Sequence, residues 1–497
     1  MSSFTGSTLL SGWLLPVLFF SAFLLSLRYP LQSWTLAKGS ARLGLGATAV
    51  TLIAAAAGHL TLNLQPDITG LTLMLLVALL GWVITRFAYR YLQGEGQAQQ
   101  ARFVQAMLFT LTSVGLLITS QHLLIIALAW SGTSLGLHYL LTHYSERKAA
   151  QIVAHKKFIV SRFAEIALVI ALILIWQTAG TLSLPQLNDY LATQVATQEA
   201  LPASLHWAAA LFALAAILKT AQLPLHGWLI QVMEAPTPVS ALLHAGVVNM
   251  GGFVLIRLAE LLSLAIVAQW LLVIVGSLTA VLAGLVMMTR ISIKVRLAWS
   301  TCAQMGFMLM EIGLGLYELA LLHLVAHSLY KAYAFLSSGE TVAQSRISDF
   351  FNKQKKHHVL LSTLISPLLA LAVVLGSLTL WQIALPTLQL SAAVTLILVL
   401  GFTPLLWQEQ RFRVGTLFTG LLRSALLTQL YLIWHLVFTH LAPAATAAGS
   451  AMIIWVGICF AQLYLLQTWI RLWPEGRIAR RLFPWAYNGF YLDETYT

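Results

Sequence analysis

Lys219 lies within a long apolar stretch, in the sequence Ala-Ile-Leu-Lys-Thr-Ala-Gln-Leu-Pro. A charged group at membrane depth costs at least ~2.5–3.5 kcal/mol on insertion scales, and such residues commonly serve ion pathways. Pro224 follows soon after, and a proline frees a backbone carbonyl and loosens the helix, which lets water reach the ammonium. Burial disfavours the charged form of lysine, so the pattern predicts a proton-relay residue. A lysine that snorkels to the interface is the alternative, which the apolar flanks disfavour.

His323, His327 and Lys331 form a second group, spaced four residues apart in another apolar stretch. Residues at this spacing share one face of a helix. Histidine changes its charge near neutral pH, so such a row can pass protons along the membrane plane. A His pair that binds metal is the alternative, but no third ligand stands nearby in the sequence.

Further ionisable residues extend the predicted path. His244 could link Lys219 to the second group, and Lys294 is either a relay residue or a loop charge. Three carboxylates are candidate counter-ions for the buried cations: Glu165, Glu234 and Glu311.

The composition indicates which elements carry these residues. Of the 497 residues, 59% are hydrophobic and 9% are charged, and the mean hydropathy is +0.83. A soluble domain averages about 25% charged residues, so a soluble enzyme and a disordered chain are excluded. Continuous apolar runs also disfavour a β-barrel. The sequence predicts an all-α polytopic membrane protein without catalytic residues of its own.

Fifteen apolar runs are each near the ~20 residues that one crossing requires. They fall at 9–27, 42–64, 70–92, 103–120, 121–142, 157–178, 205–231, 237–260, 262–288, 293–316, 318–342, 358–381, 388–407, 414–440 and 447–472. We assign 24 of the 28 Lys and Arg residues to the side of the membrane that follows odd-numbered runs, either in loops or in the adjoining parts of runs, with Lys148, Lys157 and Arg162 assigned to the loop after the fifth. By the positive-inside rule this predicts an external amino terminus and a cytoplasmic carboxyl terminus.

Prolines predict broken helices. Pro224 interrupts the seventh run, Pro236 and Pro238 open the eighth, and Pro367 interrupts the twelfth. Broken helices in corresponding positions of two halves are typical of transporters built from inverted repeats. We expect a single membrane domain over 1–497, with amino-terminal helices in 1–102, a first repeat in 103–260, a second in 261–410, and carboxyl-terminal helices with a cytoplasmic tail in 411–497.

The charge and the cysteines exclude other functions. The net charge of +12 would suggest nucleic-acid binding in a soluble protein, but here the basic residues act as topology signals. Cys302 and Cys459 are the two cysteines and both lie in apolar runs. Their spacing matches no haem, iron–sulfur or zinc motif, so we expect no cofactor and no metal in this chain.

Four segments carry a family resemblance. They begin Leu218-Lys-Thr-Ala-Gln-Leu-Pro, Glu234-Ala-Pro-Thr-Pro, Ile293-Lys-Val-Arg-Leu-Ala-Trp-Ser and His323-Leu-Val-Ala-His. They resemble the signature of the antiporter-like membrane subunits of respiratory complex I and of Mrp antiporters. The resemblance implies that Glu165 occupies an acidic position of the family. It also implies that six residues occupy the family's proton-path positions: Lys219, His244, Lys294, His323, His327 and Lys331.

The chain also departs from that family. Ser131 follows Trp130 where the family has a glutamate, and no lysine stands between 358 and 384, where the family usually has one. These departures put the family's usual glutamate–lysine switch in question. The long lateral helix of the large complex I subunit is not expected.

Variant details such as His226-Gly227-Trp228 resemble the Dab family, membrane subunits of two-component inorganic-carbon uptake complexes in bacteria. That resemblance implies H⁺ or Na⁺ conduction that drives a DabA-like cytoplasmic partner related to zinc β-carbonic anhydrases, with the zinc in the partner and this chain in the bacterial inner membrane. One alternative is a proton-translocating subunit of a redox-driven or Mrp-type complex. Another is a non-conducting anchor for a cytoplasmic enzyme.

Overall fold

The computed structural model describes residues 12–56, 68–339, 360–386, 388–407, 414–444, 446 and 448–492, with the side chains of 55, 56, 233, 234 and 360–362 left out. Within these ranges the chain forms α-helices and short 3₁₀ turns, and no strand. The helices are α1 Leu14–Arg28, α2 Ser33–Ala56, α3 Ile68–Tyr91, α4 Gln97–Thr119, α5 Leu123–Leu141, α6 Lys148–Ala179, α7 Leu184–Ala196, α8 Ala203–Lys219, α9 Gly227–Ile230, α10 Thr237–Ala245, α11 Met250–Arg257, α12 Ala259–Leu264, α13 Ile266–Thr289, α14 Ile293–Gly313, α15 Tyr317–Leu336, α16 Leu360–Ala384, α17 Ala392–Phe402, α18 Val414–Thr439, α19 Ser450–Leu472 and α20 Arg477–Tyr487.

The predicted all-α membrane fold is confirmed. In the described part, ten helices are long and apolar enough to cross a membrane, and three shorter apolar helices accompany them. Helices α2 and α14 lie on two further apolar runs. Within the described residues, every predicted run therefore overlaps a helix or a broken helix, although the number of crossings stays a prediction.

Helix α10 lies in the interior of the bundle. Every residue of α10 is buried, and α10 packs against α15 while α8 packs against α6. Outer helices instead expose large apolar side chains, such as Leu368 on α16 and Phe418 on α18. An apolar outer surface is what lipid requires, so the polar residues of interest are confined to the interior.

Two glycines let α13 and α14 approach closely. A Cβ atom built on Gly306 would lie 2.7 Å from the carbonyl oxygen of Gly276, and one built on Gly276 would lie 2.5 Å from that of Gly306. Side chains larger than hydrogen therefore do not fit at this crossing. Small residues at such crossings are typical of membrane helix pairs.

Pro367 does not break its helix, and the prediction made from it is wrong. Helix α16 runs without interruption through Pro367. A proline removes one backbone donor and its ring crowds the carbonyl four residues before it. In a membrane bundle, hydroxyl side chains, neighbouring helices and small local adjustments can compensate that loss, so a proline alone does not end a helix.

Candidate functional site

Lys219 is the last residue of α8, at the point where the first broken helix opens. The chain then leaves helical geometry over residues 220–226, which include Pro224, and resumes as α9. Side chains hold this break: the Sγ of Cys302 donates to the carbonyl oxygen of Ala221 at 3.1 Å, and Thr279 accepts from the backbone of Leu223. A helix carboxyl terminus carries partial negative charge, so the break itself favours a cation at Lys219.

The ammonium of Lys219 is held by α5 and α6. The side chain is 4% exposed, and its Nζ donates to the carbonyl oxygen of Trp130 at 3.1 Å and to the Oγ of Ser134 at 3.4 Å. The Oε1 of Glu165 lies 3.6 Å from the same Nζ. A snorkelling lysine would place its ammonium at the interface, whereas this one points into a polar cluster.

Glu165 is the carboxylate that the structure brings to Lys219. The guanidinium of Arg162 contacts both of its carboxylate oxygens at 2.7 Å, in a bidentate pair. Ser131, which stands where the family has a glutamate, donates to the carbonyl oxygen of Ala127 within its own helix. The counter-ion therefore comes from α6 and not from position 131.

The second broken helix is formed by α10 and α11, which meet at Gly246 and a 3₁₀ turn over Val247–Asn249. Pro236 and Pro238 stand at the start of α10, where proline is tolerated. The side-chain amide of Asn249 donates to the Oγ of Ser328 at 2.7 Å, which ties the break to α15. The two prolines therefore mark the start of α10, and the break itself lies further along the chain, at Gly246.

The predicted row on α15 faces the interior. Lys331 is 1% exposed; its Nζ donates to the carbonyl oxygen of Leu297 at 3.0 Å and also contacts the Oγ of Ser300. The rings of His323 and His327 lie 6.1 Å apart between centroids. The Nδ1 of His323 lies 3.0 Å from the Oε2 of Glu311. The row therefore runs from Lys331 to a carboxylate on α14.

His244 lies beside this row. It is fully buried, stacks on Phe335 with ring centroids 4.4 Å apart, and lies within electrostatic range of Lys331. Both ring nitrogens of His244 and of His327 lack a hydrogen-bond partner among the described residues. Buried polar atoms of this kind are normally paired, often by ordered water. We therefore expect water molecules between these histidine rings.

Two predicted residues are not joined to these clusters by any described contact. The Nζ of Lys294 donates to the Oγ1 of Thr237, at the start of α10, at 3.0 Å, and its side chain is half-buried. The backbone of Glu234 belongs to the 3₁₀ turn Gln231–Glu234, and its side chain lies outside the described set. In the described part of the chain, no three His, Cys, Asp or Glu side chains converge as a metal site.

The assignment of Lys157 and Arg162 to a loop is wrong. Both lie within α6, which begins nine residues before the predicted run, and Lys157 is 3% exposed. The amphipathic start of α6 mixes charged and apolar residues, which hides it from a test of continuous hydropathy. A usable signal was present: Lys157, Ser161 and Glu165 are spaced by four and share one helix face.

A polar group toward the other end of α15 has no counterpart among the predicted site residues. Glu318 on α15 and His435 on α18 are buried, Tyr431 on α18 is partly buried, and each has a polar atom without a hydrogen-bond partner among the described residues. Tyr431 lies within electrostatic range of Glu311 and Glu318. Glu318 lies in one apolar run and Tyr431 and His435 lie in another, so only the packing of α15 against α18 brings the three residues together.

Comparisons with known proteins agree with this architecture. Residues 120–447 match the model of a family described as "NADH:quinone oxidoreductase/Mrp antiporter, TM". A solved Mrp complex from Dietzia has a chain that matches 94% of this one at a TM-score of 0.63 and 22% identity, over 57% of that chain's length. This likeness shows the fold alone.

Sequence relatives are more informative. The "Probable inorganic carbon transporter subunit DabB" of Hydrogenovibrio crunogenus is 38% identical over 97% of this chain and 92% of its own length. A second such subunit, DabB2 of Halothiobacillus neapolitanus, is 50% identical over 57% of this chain and 50% of its own length. NADH-quinone oxidoreductase subunit L of Escherichia coli is 32% identical over 56% of this chain and 45% of its own length. The resemblance seen in the motifs is confirmed, and the chain belongs to the NADH:quinone oxidoreductase/Mrp antiporter family of multi-pass membrane subunits.

Proposed function

We propose that this chain is the ion-conducting, energy-coupling membrane subunit of a two-component inorganic-carbon uptake complex. The observation that carries the proposal is Lys219, a buried ammonium at a helix break, 3.6 Å from Glu165. An anchor for a soluble enzyme gains nothing from the free energy lost by burying such a cation. A second buried cation, Lys331, and the histidines beside it support a path that crosses both halves of the bundle.

The inorganic-carbon role rests on the relatives named as carbon transporter subunits. We infer a DabA-like cytoplasmic partner with a zinc site that hydrates CO₂, and ion flow through this chain that makes the hydration one-way. The ion is H⁺ or Na⁺. The proposed orientation places the amino terminus outside and the carboxyl terminus in the cytoplasm of a bacterial inner membrane, because the basic loops alternate in that sense.

A second candidate function is a proton-translocating subunit of a redox-driven or Mrp-type antiporter complex. The relation to the NADH-quinone oxidoreductase subunits and the Mrp-like fold favour it. The two candidates share the buried path and differ in the partner. Isolation of the chain from native membranes with its bound proteins separates them, since one predicts a zinc protein and the other predicts redox or antiporter subunits.

Growth of a carbonic-anhydrase-deficient host at ambient CO₂ tests the first proposal, with this chain and its DabA-like partner expressed together. We expect rescue by the native pair and loss of rescue with Lys219→Ala, at unchanged amounts of inserted protein. The helix break is held by Cys302 and Thr279 and does not depend on the lysine. Equal rescue by the variant would refute a relay through Lys219.

A further inference from the structure

Lys157 is a buried cation that does not belong to the path proposed above. Its Nζ donates to the backbone carbonyl oxygen of Ser134 at 2.9 Å. The side-chain Oγ of the same Ser134 accepts from Lys219 at 3.4 Å. One residue of α5 therefore lies between two buried ammonium groups, which come from α6 and α8.

Both lysines line one small cavity. It has a volume of about 10 Å³, and Thr133, Ser134 and Ser161 contribute to its wall. This volume is close to the minimum that one water molecule needs, and three hydroxyl groups supply the polar partners that such a water requires. The cavity is therefore large enough for about one water molecule beside the two lysines.

The charges around the cavity do not balance when both lysines are protonated. Lys157, Lys219 and Arg162 are three cations. Among the described residues, the carboxylate of Glu165 contacts Arg162 and Lys219 and lies within electrostatic range of Lys157. Arginine stays protonated in proteins and already binds both oxygens of Glu165. Two like charges in a buried site disfavour each other's charged form, so the cluster favours one proton on the lysine pair rather than two.

A line of titratable side chains continues from Lys157 to the surface. His138, one turn beyond Ser134 on α5, is within electrostatic range of Lys157 and of His155. The rings of His138 and His155 lie 5.7 Å apart between centroids. His155 is exposed near the start of α6, and the Nδ1 of His138 is buried without a hydrogen-bond partner among the described residues.

We propose that Lys157 is a second proton carrier, which shares one proton with Lys219 and connects it through His138 and His155 to the surface at the α5–α6 loop. In the transfer step the ammonium of one lysine loses a proton and the neutral amine of the other gains it, so the pair keeps a net charge of +1. The inference rests on the proposed function, because it adds an inlet to the same path. In the proposed orientation this inlet opens to the cytoplasm.

The test uses the full chain, purified with any partner it retains and reconstituted in liposomes that enclose a pH-sensitive dye. A potassium gradient with valinomycin drives proton entry. We expect Lys157→Met to lower the proton flux at least tenfold. Lys157→Arg should lower it as much, because a guanidinium keeps the charge and the donor but does not release its proton. Lys148→Met, an exposed lysine at the start of the same helix, is the matched control and should leave the flux unchanged.

The two variants of Lys157 separate a carrier from a structural residue. Native flux in Lys157→Arg would overturn the inference, since a purely structural cation tolerates arginine. Native flux in Lys157→Met would overturn it as well. Ion flux that requires Na⁺ and moves no protons would refute the inlet while leaving an ion-coupled function intact. Lys219→Met, measured in parallel, shows whether the path itself fails: native flux in that variant would refute the proposed function instead.

Discussion

Neutralising Glu165 gives the sharpest test of how Lys219 is controlled. The Oε1 of Glu165 lies 3.6 Å from the Nζ of Lys219. At this distance and an effective dielectric near 20, the attraction is ~5 kcal/mol. Arg162 competes for the same carboxylate through two contacts at 2.7 Å, so we assign roughly half of the attraction to the lysine. A loss of ~2–3 kcal/mol corresponds to a change of about 30- to 160-fold in the rate or equilibrium that depends on it.

We therefore expect Glu165→Gln to lower ion-driven bicarbonate uptake by at least tenfold, because glutamine keeps the shape of the side chain but not its charge. Glu311→Gln is the matched comparison. Glu311 contacts the imidazole ring of His323 at 3.0 Å rather than the side chain of a lysine or an arginine, so a smaller loss is expected. Uptake is measured with labelled bicarbonate in cells that express both subunits, at equal amounts of the membrane protein.

A carboxylate introduced at position 131 extends the same test, because it would supply a negative charge near Lys219 from α5 instead of α6. Ser131 lies next to Trp130, whose carbonyl oxygen binds Lys219, so a glutamate at 131 is one residue from that contact. We expect Ser131→Glu to restore part of the uptake lost in Glu165→Gln. Full activity in the single Glu165→Gln variant would remove this carboxylate from the path and refute the Coulomb argument.

The fold class could be predicted because one physical requirement dominates it. Each crossing needs about 20 apolar residues, and that requirement appears in the sequence as continuous runs. The start of α6 was not detected in this way because charged residues such as Lys157 interrupt its apolar run. Lys157 is nevertheless buried, since its ammonium contacts Ser134 on α5. The contribution of a neighbouring helix cannot be deduced from the hydropathy of one segment.

The candidate site likewise has residues that the sequence identifies and contacts that only the packing of the helices reveals. Lys219 and the row of His323, His327 and Lys331 stand out in the sequence because each cation or ring interrupts an apolar run. The pairing of Lys219 with Glu165 depends on how α6 packs against α8, which spacing alone does not reveal. Pro367 shows the opposite error, since a proline in the sequence suggests a helix break where the structure has a continuous helix.

Three further outcomes are expected. Bicarbonate accumulation should collapse when an uncoupler is added, before ATP falls; uptake that persists would favour the anchor function. Gly306→Leu should reduce the amount of folded protein in the membrane, measured by detergent extraction and size exclusion, because a side chain there meets the backbone of Gly276. Tyr431→Phe should slow proton flux several-fold at unchanged expression. The buried hydroxyl of Tyr431 lies within electrostatic range of Glu311 and Glu318 and has no hydrogen-bond partner among the described residues, so it is placed to carry a proton from the histidine row toward α18. Phenylalanine preserves the ring and its packing, and native flux in this variant would exclude an outlet through α18.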